Sequence, residues 1–504
     1  MTTSADSRPR VASRSNGWQS VSVLATIVAL LAMGCLAGLW RVVAALPLEL
    51  PLDPNEGWNA YHAVAAMAAH GLYPDANSFM TNNYPPLSFY LVGFLGTAFG
   101  DNIVAGRVVS AASFIAIAGM IAALVRRFGC STLEAALASL FFASFLLLHS
   151  DYVGMDDPQL LGHAVQIFGL VLLLSSRRSH ATEVACASLF VAALFIKHNL
   201  IALPLATLIW LTLCDRRSAG RLALFMIVFG LAGLTVFRFA FGFDLLSRLA
   251  SPRSYSFSLF ADNFRDWLIA AALPLTVTLA AGTTRDRFAG LVAIYALAAV
   301  IIGGAFLGGA GVDTNAMFDA DIACALGAGI AVSRIGNRTK ASGRVAVGAL
   351  AIAVTLPLAF GLARSYDPGW LSTDYWLHPM RDEAMLASAD IDYLRSHKGP
   401  VLCEMLSLCY WAEKPATVDI FNLDQQFLSG VRDYRPFVKL VNAHTFAVVQ
   451  LNSPSPFPLP APVRAAVFHN YRIDRTNDDG VFLVPEKRKG DDRVSGIIGY
   501  PLHL

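Results

Sequence analysis

Charge is what this chain most conspicuously lacks. Only 15% of its 504 residues are Asp, Glu, Lys or Arg, against about 25% in an ordinary soluble domain. A disordered, fibrous or typical cytosolic chain is thereby excluded. The charge it has is balanced, with 38 basic and 36 acidic residues, so no basic field gathers nucleic acid. Cysteine is equally sparse: seven in the whole chain cannot make a disulfide scaffold. There is no P-loop, no glycine-rich dinucleotide fingerprint behind a strand and no internal repeat. Hydrophobic residues, at 55%, are what is abundant, and the mean hydropathy is +0.53. That combination belongs to a polytopic membrane protein.

A membrane span needs about 20 largely apolar residues. Such runs occur at Val21–Trp40, Ile103–Leu124, Thr132–His149, Pro158–Leu174, Thr182–Ile196, Leu200–Leu213, Leu222–Phe239, Trp267–Ala281, Phe288–Phe306, Met317–Val332 and Val345–Ala363. The expectation is an all-α protein of about eleven transmembrane helices. Val21–Trp40 is too long for a signal-peptide core, and no leucine stands three residues before Cys35 to make a lipoprotein cleavage site, so a retained first span is expected.

Basic residues in short loops set the orientation. Arg8, Arg10 and Arg14 precede the first run. Arg126–Arg127, Arg177–Arg178, Arg216–Arg217, Arg285 with Arg287, and Arg334, Arg338 and Lys340 then fall in alternate loops. The loops carrying Asp53, Glu56, Asp75 and Asp101, and Asp151, Asp156 and Asp157, lack basic residues. The expectation is an integral protein of the plasma (bacterial inner) membrane. It would have a cytoplasmic tail over residues 1–20, a transmembrane domain over 21–363, and an external loop over 47–102.

Composition shifts after Arg364 towards Asp, Arg, Tyr and Pro. Short β-type runs at Val401–Met405, Phe446–Leu451 and Val481–Val484, with a helical pattern at Asp382–His397 closed by Gly399 and Pro400, predict a small external α/β domain over residues 364–504. An oxidising exterior permits a Cys403–Cys409 disulfide without requiring one.

The outer loop between the first two runs is too long for a connector. Asp53-Pro54-Asn55-Glu56-Gly57-Trp58 opens a helical segment with Trp58, Tyr61, Ala65 and Ala68 on one face and Gly71 placed to end it. Asn82-Asn83-Tyr84-Pro85-Pro86-Leu87 opens a second, running to about Gly100. Two amphipathic helices on the outer membrane surface are expected. Asp53 as N-cap, Pro54 at the first helical position and Glu56 two further on read as an acidic capping box. The same carboxylates, ionised at a helix N-terminus, are equipped to act as a general base.

These residues resemble a known family. Asp53-x-x-Glu56-Gly57-Trp58, Gly71-Leu72-Tyr73-Pro74, Asn83-Tyr84-Pro85-Pro86-Leu87 and Ala105-Gly106-Arg107 are similar to motifs of the glycosyltransferase C superfamily. More narrowly they resemble the bacterial polyprenyl-phosphate-sugar transferases related to protein O-mannosyltransferases and lipid A aminoarabinose transferase. The resemblance covers about residues 20–363 in architecture. It implies a catalytic acid in the first external loop and a lipid-linked donor. The family often has adjacent Asp-Glu, whereas here Asn55 precedes Glu56. Glu56, placed before Gly-Trp, is the first candidate for the base and Asp53 the second.

Asp156 and Asp157 precede the fourth run. Asp157 with Pro158 reads as another cap. The pair could equally orient an acceptor or hold a divalent cation with waters; in the resembled family a second acid in this loop often belongs to the site. His163 reads as a hydrogen-bonded interior histidine. Lys197-His198 in an outer turn and Arg107 either snorkel or meet the donor phosphate. Arg238, Arg248, Arg253 and Arg265 run against the inside-positive trend. Asp313, Asn315, Asp319 and Asp321 line the mouth of the tenth run, and Asp319-Ala320-Asp321 matches a soluble-transferase signature by chance, since it sits in an apolar segment.

The function expected is therefore a membrane enzyme. It moves a sugar from a polyprenyl-phosphate donor to a glycan, lipid or protein acceptor at the outer face, by inverting displacement. Its partners are membrane lipid and these substrates; no organic cofactor is implied. A flippase or transporter of a lipid-linked or charged solute, and a polysaccharide ligase or polymerase, are the competing classes.

Overall fold

The computed structural model describes residues 15–68, 71–75, 77–148, 150–175, 179–242, 245–250, 253–338, 348–355, 380–453 and 459–486, with isolated positions between 373 and 378. Residues 1–14 of the expected tail, Arg177 and Arg178, Lys340, and most of the run Val345–Ala363 lie outside them, while residues 15–20 belong to the first helix.

Ten of the apolar runs read from the sequence coincide with helices. In chain order the first unit contains α1 (Ser15–Ala45), α2 (Pro54–Met67), α3 (Leu87–Phe99), α4 (Asn102–Arg127), α5 (Thr132–Leu147), α6 (Ser150–Gly154), α7 (Gln159–Leu173) and α8 (His180–Ile196). It continues with α9 (Ala202–Cys214), α10 (Arg216–Phe241), α11 (Leu245–Leu249), α12 (Phe257–Gly282), α13 (Arg287–Phe306) and α14 (Phe318–Arg338). Among the described residues six helices are long and apolar enough to cross a membrane, and five shorter apolar ones accompany them. This is a polytopic helical membrane fold.

Local chemistry explains where the helices start. Asp101 caps α4 by accepting from Ile103 N–H at 2.7 Å, and Ser131 with Glu134 forms a reciprocal capping box on α5. Arg126 and Arg127 occupy the last turn of α4, where cations complement the helix dipole. The centre of the bundle is α14, packed on α5, α12 and α13 through small residues such as Ala320, Ala323, Ala325 and Ala328. The outer faces of α10 and α12 stay apolar and exposed: Phe239 is 86% exposed and Ile269 74%, as suits a lipid-facing surface.

The loop after α1 forms the two expected helices, α2 and α3, and of the face expected on α2 only Trp58 is buried. Ala60, Ala63 and Ala66 are buried, whereas Tyr61, Ala65 and Ala68 are not. The reason is close packing on α3, where a side chain at Gly93 would press on Ala63 O at 2.7 Å. The helix also ends sooner than expected, at Met67 with Ala68 as an extended cap. Gly71 adopts its left-handed φ of 115° beyond that end, and Gly100 closes α3 with a φ of 77°.

The chain divides at Met385/Leu386, and the second unit also takes in the segment Ala76–Thr81 of the loop between α1 and α4. The second unit continues α15 (Arg381–Ser396) into β1 (Val401–Cys403), α16 (Leu406–Trp411), α17 (Ile420–Leu428), α18 (Arg435–Asn442), β2 (Val448–Leu451), α19 (Ala461–Asn470), β3 (Tyr471–Asn477) and β4 (Gly480–Pro485). Its sheet order is β1-β2-β4-β3, with β1 and β2 parallel and the other pairs antiparallel. The expected strands are present but shorter at β1 and β2. The sequence pattern misses β3 because its residues are polar and mostly exposed, as on many edge strands. Cys403 and Cys409 form a disulfide.

The loop segment is held firmly within this unit. Arg432 donates to Asn77 O and Ser78 O, each at 2.6 Å, and lies over the Phe79 ring. Phe79 packs edge-on to Phe437, and its carbonyl accepts from Asp419 N–H at 2.9 Å.

Candidate active site

The start of α2 shows why two acids so close in sequence have different surroundings. Asp53 has extended backbone and caps α2 by accepting from Asn55 N–H at 2.7 Å. Its carboxylate remains partly exposed. Glu56 does not close a capping box with Asp53. Its Oε2 accepts from Leu52 N–H at 3.0 Å and its Oε1 from Asp156 N–H at 3.2 Å.

The remaining partner of Glu56 is Arg107. The guanidinium grips the carboxylate at both oxygens, Nε to Oε1 at 2.6 Å and Nη2 to Oε2 at 2.7 Å. Its other N–H groups reach Leu50 O at 2.6 Å, Leu48 O at 2.8 Å and Ala45 O at 3.1 Å. Both side chains are 0% exposed. Arg107 is thus buried rather than snorkelling: its five N–H groups tie α4 to α2 and to the chain leaving α1.

Asp157 does two jobs. Oδ1 accepts from Gln159 N–H at 2.7 Å, the expected cap-type bond, and Oδ2 pairs with Lys197 Nζ at 3.2 Å. Lys197 is itself buried and stands 4.1 Å from the centre of the Tyr84 ring. Burial opposes its charge, but Asp157 and Tyr84 outweigh that and carry its pKa above the ordinary lysine value. His198 beside it meets the edge of Tyr84. Burial, with the charges of Lys197 and Arg253, lowers its pKa to about 4, so its ring is neutral at pH 7. Its Nδ1 has no hydrogen-bond partner.

Asp156 is only 3% exposed, and burial together with the neighbouring Glu56 and Asp157 pushes its pKa well above the carboxylate range. Its carboxylate packs where a side chain on Gly106 would stand, which accounts for glycine between Ala105 and Arg107. The Asp156 carbonyl accepts from Asn59 Nδ2 at 2.6 Å, and that of Asp157 from Ser110 Oγ at 3.1 Å. Asp53 is the acid left nearest to use: burial, with the charges of Asp157 and Glu56, raises its pKa to about 6 against the lowering effect of the Asn55 cap bond. A carboxylate with that pKa and partial exposure takes up protons close to neutral pH.

The structure thus brings together Asp53, Glu56, Arg107, Asp156, Asp157, Lys197 and His198. It adds Tyr84, Asn59 and Ser110, of which only Tyr84 stood in a motif. His163 accepts the interior role expected of it, with its Nε2 3.0 Å from Gln159 Nε2. Asp319 and Asp321 are buried and bonded to Tyr295 and Trp267. Arg265 pairs with Asp262 and Asp266, and Arg253 donates to Ala310 O. Among the described residues no group of three or more His, Cys, Asp or Glu is arranged to hold a metal ion.

The helical bundle, the loop helices and the small sheeted unit make a fold that is also found in solved structures. Two of them are structures of ArnT. ArnT from Cupriavidus metallidurans in the apo state is 15% identical, with a TM-score of 0.60, and the match covers 90% of this chain and 97% of that one. ArnT from the same organism bound to undecaprenyl phosphate is 16% identical, with a TM-score of 0.57, over 93% and 98% of the two chains. No protein-family profile matches the chain, and no curated protein does.

Proposed function

We propose that this protein transfers a sugar from a polyprenyl-phosphate donor to an acceptor at the outer face of the membrane, with inversion at the anomeric carbon. The observation that carries the reading is Asp53, a partly exposed acid with a pKa of about 6 beside two buried ion pairs, Glu56–Arg107 and Asp157–Lys197. The fold shared with an ArnT structure bound to undecaprenyl phosphate supports a lipid-phosphate ligand here.

In this reading Asp53, rather than Glu56, removes the proton from the acceptor hydroxyl or amine. The acceptor atom then bonds to the anomeric carbon as the carbon–oxygen bond to phosphate breaks, and the bonding pair leaves with the polyprenyl phosphate. Phosphate leaves well as an anion, so no general acid is required, unlike the paired acid and base of an inverting glycosidase. His198 and the charge of Lys197 face the departing phosphate. Glu56 and Arg107 keep the loop in shape, and the Asp156–Asp157 turn positions the acceptor side.

The test is to compare lipid-linked sugars and surface glycans in cells with and without the protein. Donor accumulating on the outer leaflet supports transfer. Donor retained on the inner leaflet identifies a flippase and overturns the proposal.

A further inference from the structure

A narrow cleft opens among α2, α3, α4 and the turn at Asp156, lined by Asn59, Ser88, Phe89, Gly106, Asp156 and Asp157. Three of its oxygens, Asn59 Oδ1, Ser88 Oγ and Asp156 Oδ2, are buried without a hydrogen-bond partner in the protein. Each of these residues is only 3% exposed. Buried polar atoms are nearly always satisfied, and three unsatisfied ones around a single cleft point to a guest.

The charges of the region say what kind. Glu56 is balanced by Arg107 and Asp157 by Lys197, while among the described residues no basic side chain is bonded to the Asp156 carboxylate, on which Arg107 acts only through its charge. We infer that the cleft binds one small monovalent cation of sodium size, held by Asp156 Oδ2, Asn59 Oδ1 and Ser88 Oγ. Three oxygen ligands with no sulfur or imidazole nitrogen select a hard cation. One carboxylate in a buried setting is neutralised by a single positive charge, whereas a divalent ion would leave excess charge close to Arg107 and Lys197 at a heavy desolvation cost. The cleft has room for a guest about the size of one water.

The ion would have a structural consequence that does not depend on the reaction proposed above. Asp156 already holds Glu56 through its N–H and Asn59 through its carbonyl. A cation joining the Asp156, Asn59 and Ser88 side chains would fasten that turn to α2 and α3 together.

The test is thermal unfolding of the purified full-length protein in detergent at pH 8, with sodium chloride or N-methylglucamine chloride at equal ionic strength. The expected result is a higher, saturable midpoint in sodium. Ser88→Ala should raise the half-saturating sodium concentration about two- to tenfold, the worth of one polar contact, and Asp156→Asn should remove the sodium response. Equal midpoints in the two salts would overturn the inference, as would an unaltered sodium response in Asp156→Asn. If that variant does not fold, an unshifted half-saturation in Ser88→Ala overturns it.

Discussion

Glu56→Gln separates an acid that organises the loop from an acid that does the chemistry. Glutamine keeps the shape and one acceptor oxygen, but its NH₂ would face Arg107 Nη2–H and Leu52 N–H, which now bond to Oε2 at 2.7 and 3.0 Å. Two donors would oppose a third, and the Arg107 charge would remain buried with no counter-ion. Breaking a buried pair from one side costs about 3–5 kcal/mol. With each 1.4 kcal/mol a factor of ten, the folding equilibrium should fall by about 10²- to 10⁴-fold. Unfolding of the purified variant in detergent, followed by tryptophan fluorescence, measures this. A double variant, Glu56→Met with Arg107→Met, should recover part of the loss, because it removes the stranded charge; full recovery is not expected, since Ala45, Leu48 and Leu50 carbonyls lose their donors. A Glu56→Gln protein as stable as the parent, yet at least a hundredfold slower in transfer, would refute the reasoning and return the base role to Glu56.

Asp53→Asn should behave oppositely: asparagine caps as well as aspartate, so stability should change by no more than about 0.5 kcal/mol while transfer drops about 10²- to 10⁴-fold. Because the ionised carboxylate is the active form, the transfer rate should rise with pH through about 6 and level off above it, and a flat profile across that range would exclude Asp53. Arg432→Ala should speed amide hydrogen exchange over residues 77–81, where it now holds the Asn77 and Ser78 carbonyls; unchanged exchange would show that Asp419 and Phe437 suffice. Cys403 and Cys409 should resist alkylation in the native membrane until a reductant is added, and immediate labelling would place their unit in a reducing compartment. A reporter active only outside the membrane should work when fused after Arg364 and fail after Arg178; the reverse at either site would overturn the span count.

What could be read from the sequence followed the range of the interaction. The Asp53 cap, the Asp157 bond to Gln159 and the end of α3 at Gly100 are decided within a few residues, and capping chemistry states them directly. Gln159 and His163 are four apart on one helix face, and their contact follows from that spacing. The Glu56–Arg107 pair spans 51 residues. Both partners stood in recognised motifs, but their pairing depends on three backbone carbonyls between Ala45 and Leu50, which no side-chain pattern reveals. The turn around Lys197 allows either snorkelling or a phosphate contact; its burial follows from Tyr84 and Asp157, brought in from other elements. On α2 the buried residues combine Trp58 with Ala60, Ala63 and Ala66, a face set by packing on α3 rather than by the aromatic spacing. Gly106 was part of a motif, yet the need for glycine there appears only once the Asp156 carboxylate is seen against it.

The central claim is that this chain itself transfers sugar from a lipid phosphate, with Asp53 as the base. The most direct measurement reconstitutes the purified protein in lipid with a polyprenyl-phosphate-linked sugar and a candidate acceptor, and follows release of free polyprenyl phosphate. The account predicts release matched one for one by glycosylated acceptor in the parent protein, and release reduced at least a hundredfold in folded Asp53→Asn. Donor that only crosses the bilayer without losing its sugar, or release that proceeds unchanged in Asp53→Asn, would contradict it.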